Sequence, residues 1–206
     1  MNRPVMRFST ISILAAALLL SACNDAAGPA DDAPAGEPPL AGASLGGDFT
    51  LTGEDGTPVS WQDFDGQYRT IYFGYAYCPD VCPTDVQRAM AGLKAFEEQD
   101  PERAAQVQPL FVTIDPERDT PEVVKEFTAN FHPRLIGLTG SEEEIAATAK
   151  KFGVFYSRGE TSAGGGYLMN HSNITMLFGP DGEPITTLPT DEGAEAVAAE
   201  LAQWVR

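Results

Sequence analysis

Beyond about residue 48 the apolar positions fall into two alternating kinds of run. Dense runs rich in β-branched and aromatic residues predict buried strands at Arg69–Tyr77, Val107–Ile114 and Leu135–Leu138. Between them, Val86, Met90, Leu93 and Phe96 recur at helical spacing and predict a helix over Thr84–Glu98, with Thr84 or Asp85 as its cap. A second helix opens at Thr120-Pro121, with Thr120 as N-cap and Pro121 at the first helical position, and runs to about Phe131. Ser141-Glu142-Glu143-Glu144 has the form of a capping box and leads into a helix to about Phe152. A last helix runs from about Asp191 to Trp204. Paired short runs predict hairpins: Phe49–Thr52 with Val59–Trp61 about Asp55-Gly56, Val154–Ser157 with Tyr167–Met169 about Gly164-Gly165-Gly166, and Ile174–Phe178 with Glu183–Leu188 about Gly179-Pro180-Asp181-Gly182. Alternation of this sort builds an α/β domain, a central sheet with helices on both faces and hairpins added to it. There is no internal repeat.

The first 47 residues do not follow this pattern. Arg3 and Arg7 precede a short apolar stretch, Ile11–Leu20, which is too short to be a comfortable permanent membrane span. It ends in Leu20-Ser21-Ala22-Cys23, small residues before a cysteine, which resembles a bacterial lipobox. The expectation is a lipoprotein signal peptide over residues 1–22 and a lipidated Cys23. An ordinary signal peptide, or an uncleaved anchor, is the alternative. Either way the domain faces the extracytoplasmic side of a bacterial cell envelope, where thiol pairs tend to oxidise unless something reduces them. Residues 24–47 are dominated by Ala, Pro, Gly and Asp without apolar periodicity, and read as a disordered tether. Residues 48–206 then form one domain, long enough for a real core.

The chain carries a formal net charge of −17. Removing residues 1–22 takes away Arg3 and Arg7 and no acid, which leaves about −19 by the same count. Nucleic acid is excluded as an expected partner on this ground. The acidity itself reads as a solvated surface.

Against that background the chemistry concentrates in few residues. The chain has three cysteines, and two of them, Cys78 and Cys82, lie between a predicted strand and a predicted helix. A helix N-terminus offers unpaired N–H groups and a positive dipole end, so one of these thiols is expected to have a lowered pKa. The three-residue spacer Pro79-Asp80-Val81 allows a disulfide and equally allows both sulfurs to face one metal ion. A plain stabilising disulfide is the weaker reading, because so short a loop constrains little of the unfolded chain. His171, one of two histidines, adds an imidazole. Two thiolates and one imidazole suit copper, with water or a carboxylate such as Asp80 completing a Cu(II) site. Zinc would accept the same donors but favours a fourth protein ligand. Asp115, at the carboxyl end of a strand, is expected near the site. Glu117 and Arg118 read as turn and cap residues, His132 as a helix-end residue, and Met169 as packing.

Three blocks carry a resemblance to a known family. Phe73-Gly74-Tyr75-Ala76-Tyr77-Cys78-Pro79-Asp80-Val81-Cys82-Pro83 resembles the signature of the Sco/SenC proteins. Phe111-Val112-Thr113-Ile114-Asp115-Pro116-Glu117-Arg118-Asp119-Thr120-Pro121 resembles that family's second block, and Tyr167–Ser172 the third, which carries a distal histidine. Ala76 and Tyr77 are mild departures, and a lipid replaces the transmembrane helix of many relatives. The resemblance implies a thioredoxin-like fold with a central mixed β-sheet. It implies copper, as Cu(I) or Cu(II), held by Cys78, Cys82 and His171. It further implies a metallochaperone that receives copper from a donor protein. Such a protein delivers the metal to the binuclear site in the copper-bearing subunit of cytochrome c oxidase, or keeps the thiols of that site reduced.

Two other functions compete. A thiol–disulfide oxidoreductase acting on a copper-protein dithiol needs Cys78 and Cys82 as its redox pair but not His171. A thiol peroxidase needs a threonine in the cysteine loop and an activating arginine. Tyr75-Ala76-Tyr77-Cys78 lacks the threonine, and no arginine stands nearby in sequence.

Overall fold

The structure, a computed structural model, describes residues 36–162 and 164–206, which form one compact unit. The signal peptide expected over residues 1–22, the cysteine expected to be lipidated, Cys23, and residues 24–35 of the expected tether lie outside the described residues. The order of elements is β1 (Thr50–Gly53), β2 (Pro58–Ser60), β3 (Tyr68–Gly74), α1 (Val81–Gln99), α2 (Pro101–Ala104), β4 (Val107–Thr113), α3 (Pro121–Thr128), β5 (Ile136–Thr139), α4 (Glu142–Lys151), β6 (Tyr156–Arg158), β7 (Met169–His171), β8 (Thr175–Phe178), β9 (Pro184–Leu188) and α5 (Ala194–Trp204).

Seven strands form one mixed sheet in the order β2-β1-β5-β4-β3-β8-β9. The central pairs β3–β4 and β4–β5 are parallel, and the outer pairs are antiparallel. Parallel central strands are covered on both faces, so β3 reads as a continuous buried run from Tyr68 to Gly74. Side chains alternate across it. On one face, Tyr72 stacks with Phe111 of β4, which meets Phe127 of α3. On the other, Phe73 meets Phe152 at the end of α4, and Phe152 also packs against Trp61 and Phe178. Helices α1 and α5 pack closely because Gly92 has no side chain; a Cβ there would stand 2.4 Å from Val197.

The expected helices and hairpins are present, with shifted ends. Ser141 and Glu144 form the expected capping box of α4, and Thr120 caps α3 by accepting from the Val123 N–H. Strand β3 stops at Gly74, not Tyr77, because the next backbone groups turn away to other partners. Helix α1 starts at Val81, not Thr84, so neither Thr84 nor Asp85 is its cap; the Thr84 hydroxyl donates to the Asp80 carbonyl at 2.8 Å. Trp61, expected to end a strand, opens a single 3-10 turn, Trp61–Phe64, with the Ser60 N–H bonded to Asp63 at 2.8 Å. The hairpin β6–β7 is a separate two-stranded ribbon outside the main sheet.

The end of the tether also differs from expectation. Residues 36–47 lie along the domain: the Leu40 N–H donates to the Ile185 carbonyl and the Gly46 N–H to the Lys151 carbonyl, both at 2.9 Å. The physical reason is local. Leu45 comes close to Gly153, and Gly46 has a φ of +87° and no side chain where a Cβ would stand 2.7 Å from the Phe178 ring. Two leucines and well-placed glycines let a segment of unstructured composition dock.

Candidate metal centre

The cysteine half of the site grows out of the main sheet. After Gly74, whose carbonyl accepts the Ile114 N–H, the chain turns through residues 75–80 into α1. Asp119 fixes that turn by accepting the Ala76 N–H at 2.8 Å, and it also accepts the Thr113 hydroxyl at 2.6 Å. The helix has no side-chain cap at Asp80. Instead the N–H of Cys82, in its first turn, donates to Cys78 Sγ at 3.3 Å. That N–H is one of the unpaired donors every helix N-terminus presents, so the sulfur stands where a cap oxygen usually does. Cys82 is fully buried, and Gly74 makes the room: a Cβ there would stand 3.2 Å from Cys82 Sγ and 2.7 Å from the Tyr72 ring.

The histidine half comes from the ribbon. In β7, His171 pairs with Tyr156 of β6. Its Nδ1 lies 2.9 Å from the Ser172 carbonyl. A carbonyl only accepts, so Nδ1 carries the proton and Nε2 presents a bare lone pair. Nε2 faces Cys82 Sγ at 3.2 Å. The rings of Tyr72 and Tyr75 stand nearly perpendicular to the imidazole, with centroids 6.1 and 6.0 Å away. One ligand atom from each of Cys78, Cys82 and His171 lies within 4.8 Å of the other two. Two soft sulfurs and an imidazole nitrogen with a free lone pair form a donor set for a soft or borderline metal ion. Fixing the second ring nitrogen to a backbone carbonyl orients the ligand in the way metal-binding histidines require.

The two thiols are electrostatically unlike. Burial raises the Cys78 pKa, but the Cys82 thiol, the backbone N–H groups of Asp80 and Cys82, and the Tyr75 hydroxyl all favour its thiolate. The net result is a lowered pKa. Burial and the neighbouring Cys78 sulfur push Cys82 well above the ordinary thiol range. Cys78 is half-buried and opens onto a groove of about 450 Å³ that Val81, Leu168 and Asn173 help to line. One thiolate is thus accessible and the other thiol is enclosed.

The structure brings together Cys78, Cys82 and His171 as the sequence reading expects. Asp80 is exposed at the edge of the groove. Asp115 is buried, and its carboxylate is occupied by Arg118 Nε and, at 2.9 Å, by the Tyr167 hydroxyl. Met169 packs partly against the core, and His132 is bonded to Glu97 at 3.3 Å. Four residues around the site escaped the sequence reading. Gly74 and Asp119 act as described. Asp85 is buried beneath Tyr72, whose hydroxyl donates to it at 3.3 Å, and burial raises its pKa. Its place three residues after Cys82 on α1 was the available signal. Arg118, distant in sequence from Cys78, stands 5.7 and 5.2 Å over the rings of Tyr75 and Tyr77. Its guanidinium is tied to Asp115 and to the Tyr167 carbonyl.

Comparison with known proteins decides the family. The SCO1/SenC family model matches residues 37–206. The chain belongs to the SCO1/SenC family. It is 38% identical over 162 residues to the mitochondrial SCO1 homolog of Mus musculus, a match covering 79% of this chain and 56% of that protein. The chain spans about half the length of the curated relatives it matches. Among solved structures, it is similar to Bradyrhizobium japonicum ScoI with copper bound, at 33% identity and a TM-score of 0.70, covering 78% of this chain and 99% of that one. It is similar also to yeast Sco1 with copper bound, at 32% identity and a TM-score of 0.71, covering 79% and 88%. The family fold is thioredoxin-like, and the mixed sheet flanked by helices fits it.

Proposed function

We propose that this chain binds copper through Cys78, Cys82 and His171 and serves cytochrome c oxidase assembly, as a chaperone delivering copper to the binuclear site of the oxidase. Its carrier form is held to a bacterial membrane by a lipid on Cys23. The observation that carries the reading is the close approach of one bare imidazole nitrogen and two thiols, all within 4.8 Å, in a member of a family whose solved relatives hold copper.

The chain's own residues supply a route for the cargo. His171 Nε2 is directed inward by the Nδ1–H bond to Ser172. Cys82, enclosed, is the ligand least open to exchange, whereas Cys78 lies on the groove and is a thiolate at lower pH. A recipient thiolate entering the groove meets Cys78 first, so ligands can exchange one at a time. The test is a copper titration of the purified, reduced chain, followed by absorption and electron paramagnetic resonance, beside Cys78→Ala, Cys82→Ala and His171→Ala. One copper per chain, with the sulfur-to-copper absorption lost in each variant, is the expected result. Equal Cu(II) binding by wild type and His171→Ala would remove His171 from the site.

The asymmetry of the thiols favours a second reading, reduction of a target disulfide. Cys78 thiolate attacks one target sulfur, forming a mixed disulfide and releasing the other target sulfur as a thiolate. Cys82 then loses its proton and attacks Cys78 Sγ, releasing the second target thiolate. The target gains two electrons, and Cys78 and Cys82 become a disulfide that an external dithiol must reduce. Turnover that survives His171→Ala would favour this reading.

A further inference from the structure

The ribbon β6–β7 shares no ladder with the seven-stranded sheet; beyond the short link from His171 to β8, which begins at Thr175, His171 is held by packing of Tyr156 and Met169 and by side-chain bonds. Those bonds converge on one turn, Asp115–Asp119, and on Tyr167, four residues before His171. The Tyr167 ring has the guanidinium carbons of both Arg118 and Arg158 at 3.6 Å from its centroid. Two planar groups cannot share one face at that distance, so the ring is clasped between them. The Tyr167 hydroxyl donates to Asp115 at 2.9 Å, and its carbonyl accepts from Arg118 Nη1 at 3.0 Å. Arg158, on the ribbon, pairs with Glu117 at 2.8 Å. The residue after Arg118 is Asp119, which holds Ala76, two residues before Cys78.

We propose that this turn is a brace that sets the spacing between the thiol pair and the imidazole, with Arg118 and Tyr167 as positioning residues for His171 and Asp119 as the positioning residue for the cysteine loop. Glu117 and Arg118 therefore do more than terminate a strand and open a helix. The guanidinium is needed for its shape, because a flat fork can lie on a ring and bond a carboxylate and a carbonyl together, which an ammonium cannot. The purpose assigned to the brace rests on the copper-site reading above; its existence does not.

The test has two arms on the full chain. In the metal-free, reduced protein, Arg118→Ala is expected to speed amide hydrogen exchange at Met169–His171 by about tenfold while β3 and β4 stay protected, as for a locally opened unit. Unchanged exchange in the ribbon overturns the brace, whether or not copper binds. In a Cu(II) titration read by the sulfur-to-copper absorption, Arg118→Ala is expected to weaken binding about tenfold, in the range known for groups that orient metal ligands. Read instead by Cu(I) affinity, which two thiolates retain without the imidazole, it should weaken binding in the wild-type background and have no further effect in a His171→Ala background, because the two changes act through one ligand. An equal loss in both backgrounds overturns the positioning role. Arg158→Ala, which removes an exposed side chain from one face of the ring, gives a second variant that leaves the turn intact, and a smaller loss of the same kind is expected. Arg118→Lys should rescue only in part; full rescue overturns the argument from shape. Failure of the wild type to bind copper would sink the copper reading alone, and the exchange arm would still decide the brace.

Discussion

Cys82 and His171 meet at 3.2 Å, yet they arrive on supports of different kinds. Cys82 sits in the first turn of a 19-residue helix, fully buried, with β3 beneath it and Gly74 shaped to fit its sulfur. His171 sits part-buried on a ribbon of two three-residue strands that shares no ladder with the main sheet. An isolated two-stranded ribbon has little stability of its own. The two halves of one site thus draw on separate reserves of stability. The thiol half is as rigid as the core, and the imidazole half is as rigid as its clasp.

Substitutions at the ligands should separate the two halves by the largest effects. Cys82→Ala is expected to abolish copper binding and also lower stability, because it deletes a buried sulfur. His171→Ala should remove Cu(II) binding, leave two-thiolate Cu(I) binding, and lower the unfolding free energy by only about 1 kcal/mol, on the scale of the hydrogen bonds it deletes. Copper titration and urea denaturation of the same samples measure both. Next in size, Phe152→Ala should cost about 3–5 kcal/mol of stability through the cavity it leaves among Phe49, Trp61, Phe73 and Phe178. Copper affinity of the folded fraction should be unchanged, because this cluster lies on the sheet face opposite Tyr72; a lost affinity would show the site is not insulated from that core. Gly74→Ala should cost about 1–3 kcal/mol by overpacking. It should weaken copper binding as well, since the added methyl meets Cys82 Sγ. The smallest effect is a displacement along the pH axis. The reactive form of a thiol is its thiolate, so a lowered pKa raises reactivity at neutral pH. Alkylation of metal-free Cys78 should therefore reach half its maximal rate below the pH typical of a free thiol, and that of Cys82 well above it. Equal profiles for the two cysteines would remove the asymmetry.

Much of this was legible in the residues. Strand and helix order followed from apolar spacing, the α4 capping box from Ser141 and Glu144, and the three ligands from their chemistry and from the resemblance they carry. What was not legible depended on contacts between distant segments. Helix α1 begins at Val81 with no capping oxygen to announce it, because the cap is the sulfur of Cys78. The separation of β6–β7 from the main sheet leaves no trace in local periodicity. Arg118 is far from Cys78 in sequence but stands over Tyr77, and Asp119 reaches back 43 residues to Ala76. The docked residues 36–47 were misread because composition reports an average, while Leu40, Leu45 and Gly46 act individually.

That docked segment has a consequence for how the molecules behave when copies are crowded together. Strand β9 is the last in the sheet, and an open edge offers its carbonyls and N–H groups to the edge of a neighbouring copy. The Leu40 N–H occupies the Ile185 carbonyl on β9, and the flanking Pro38 and Pro39 carry no N–H with which to continue a ladder. The stretch that precedes the domain thus also blunts this edge against pairing with the same edge of another copy.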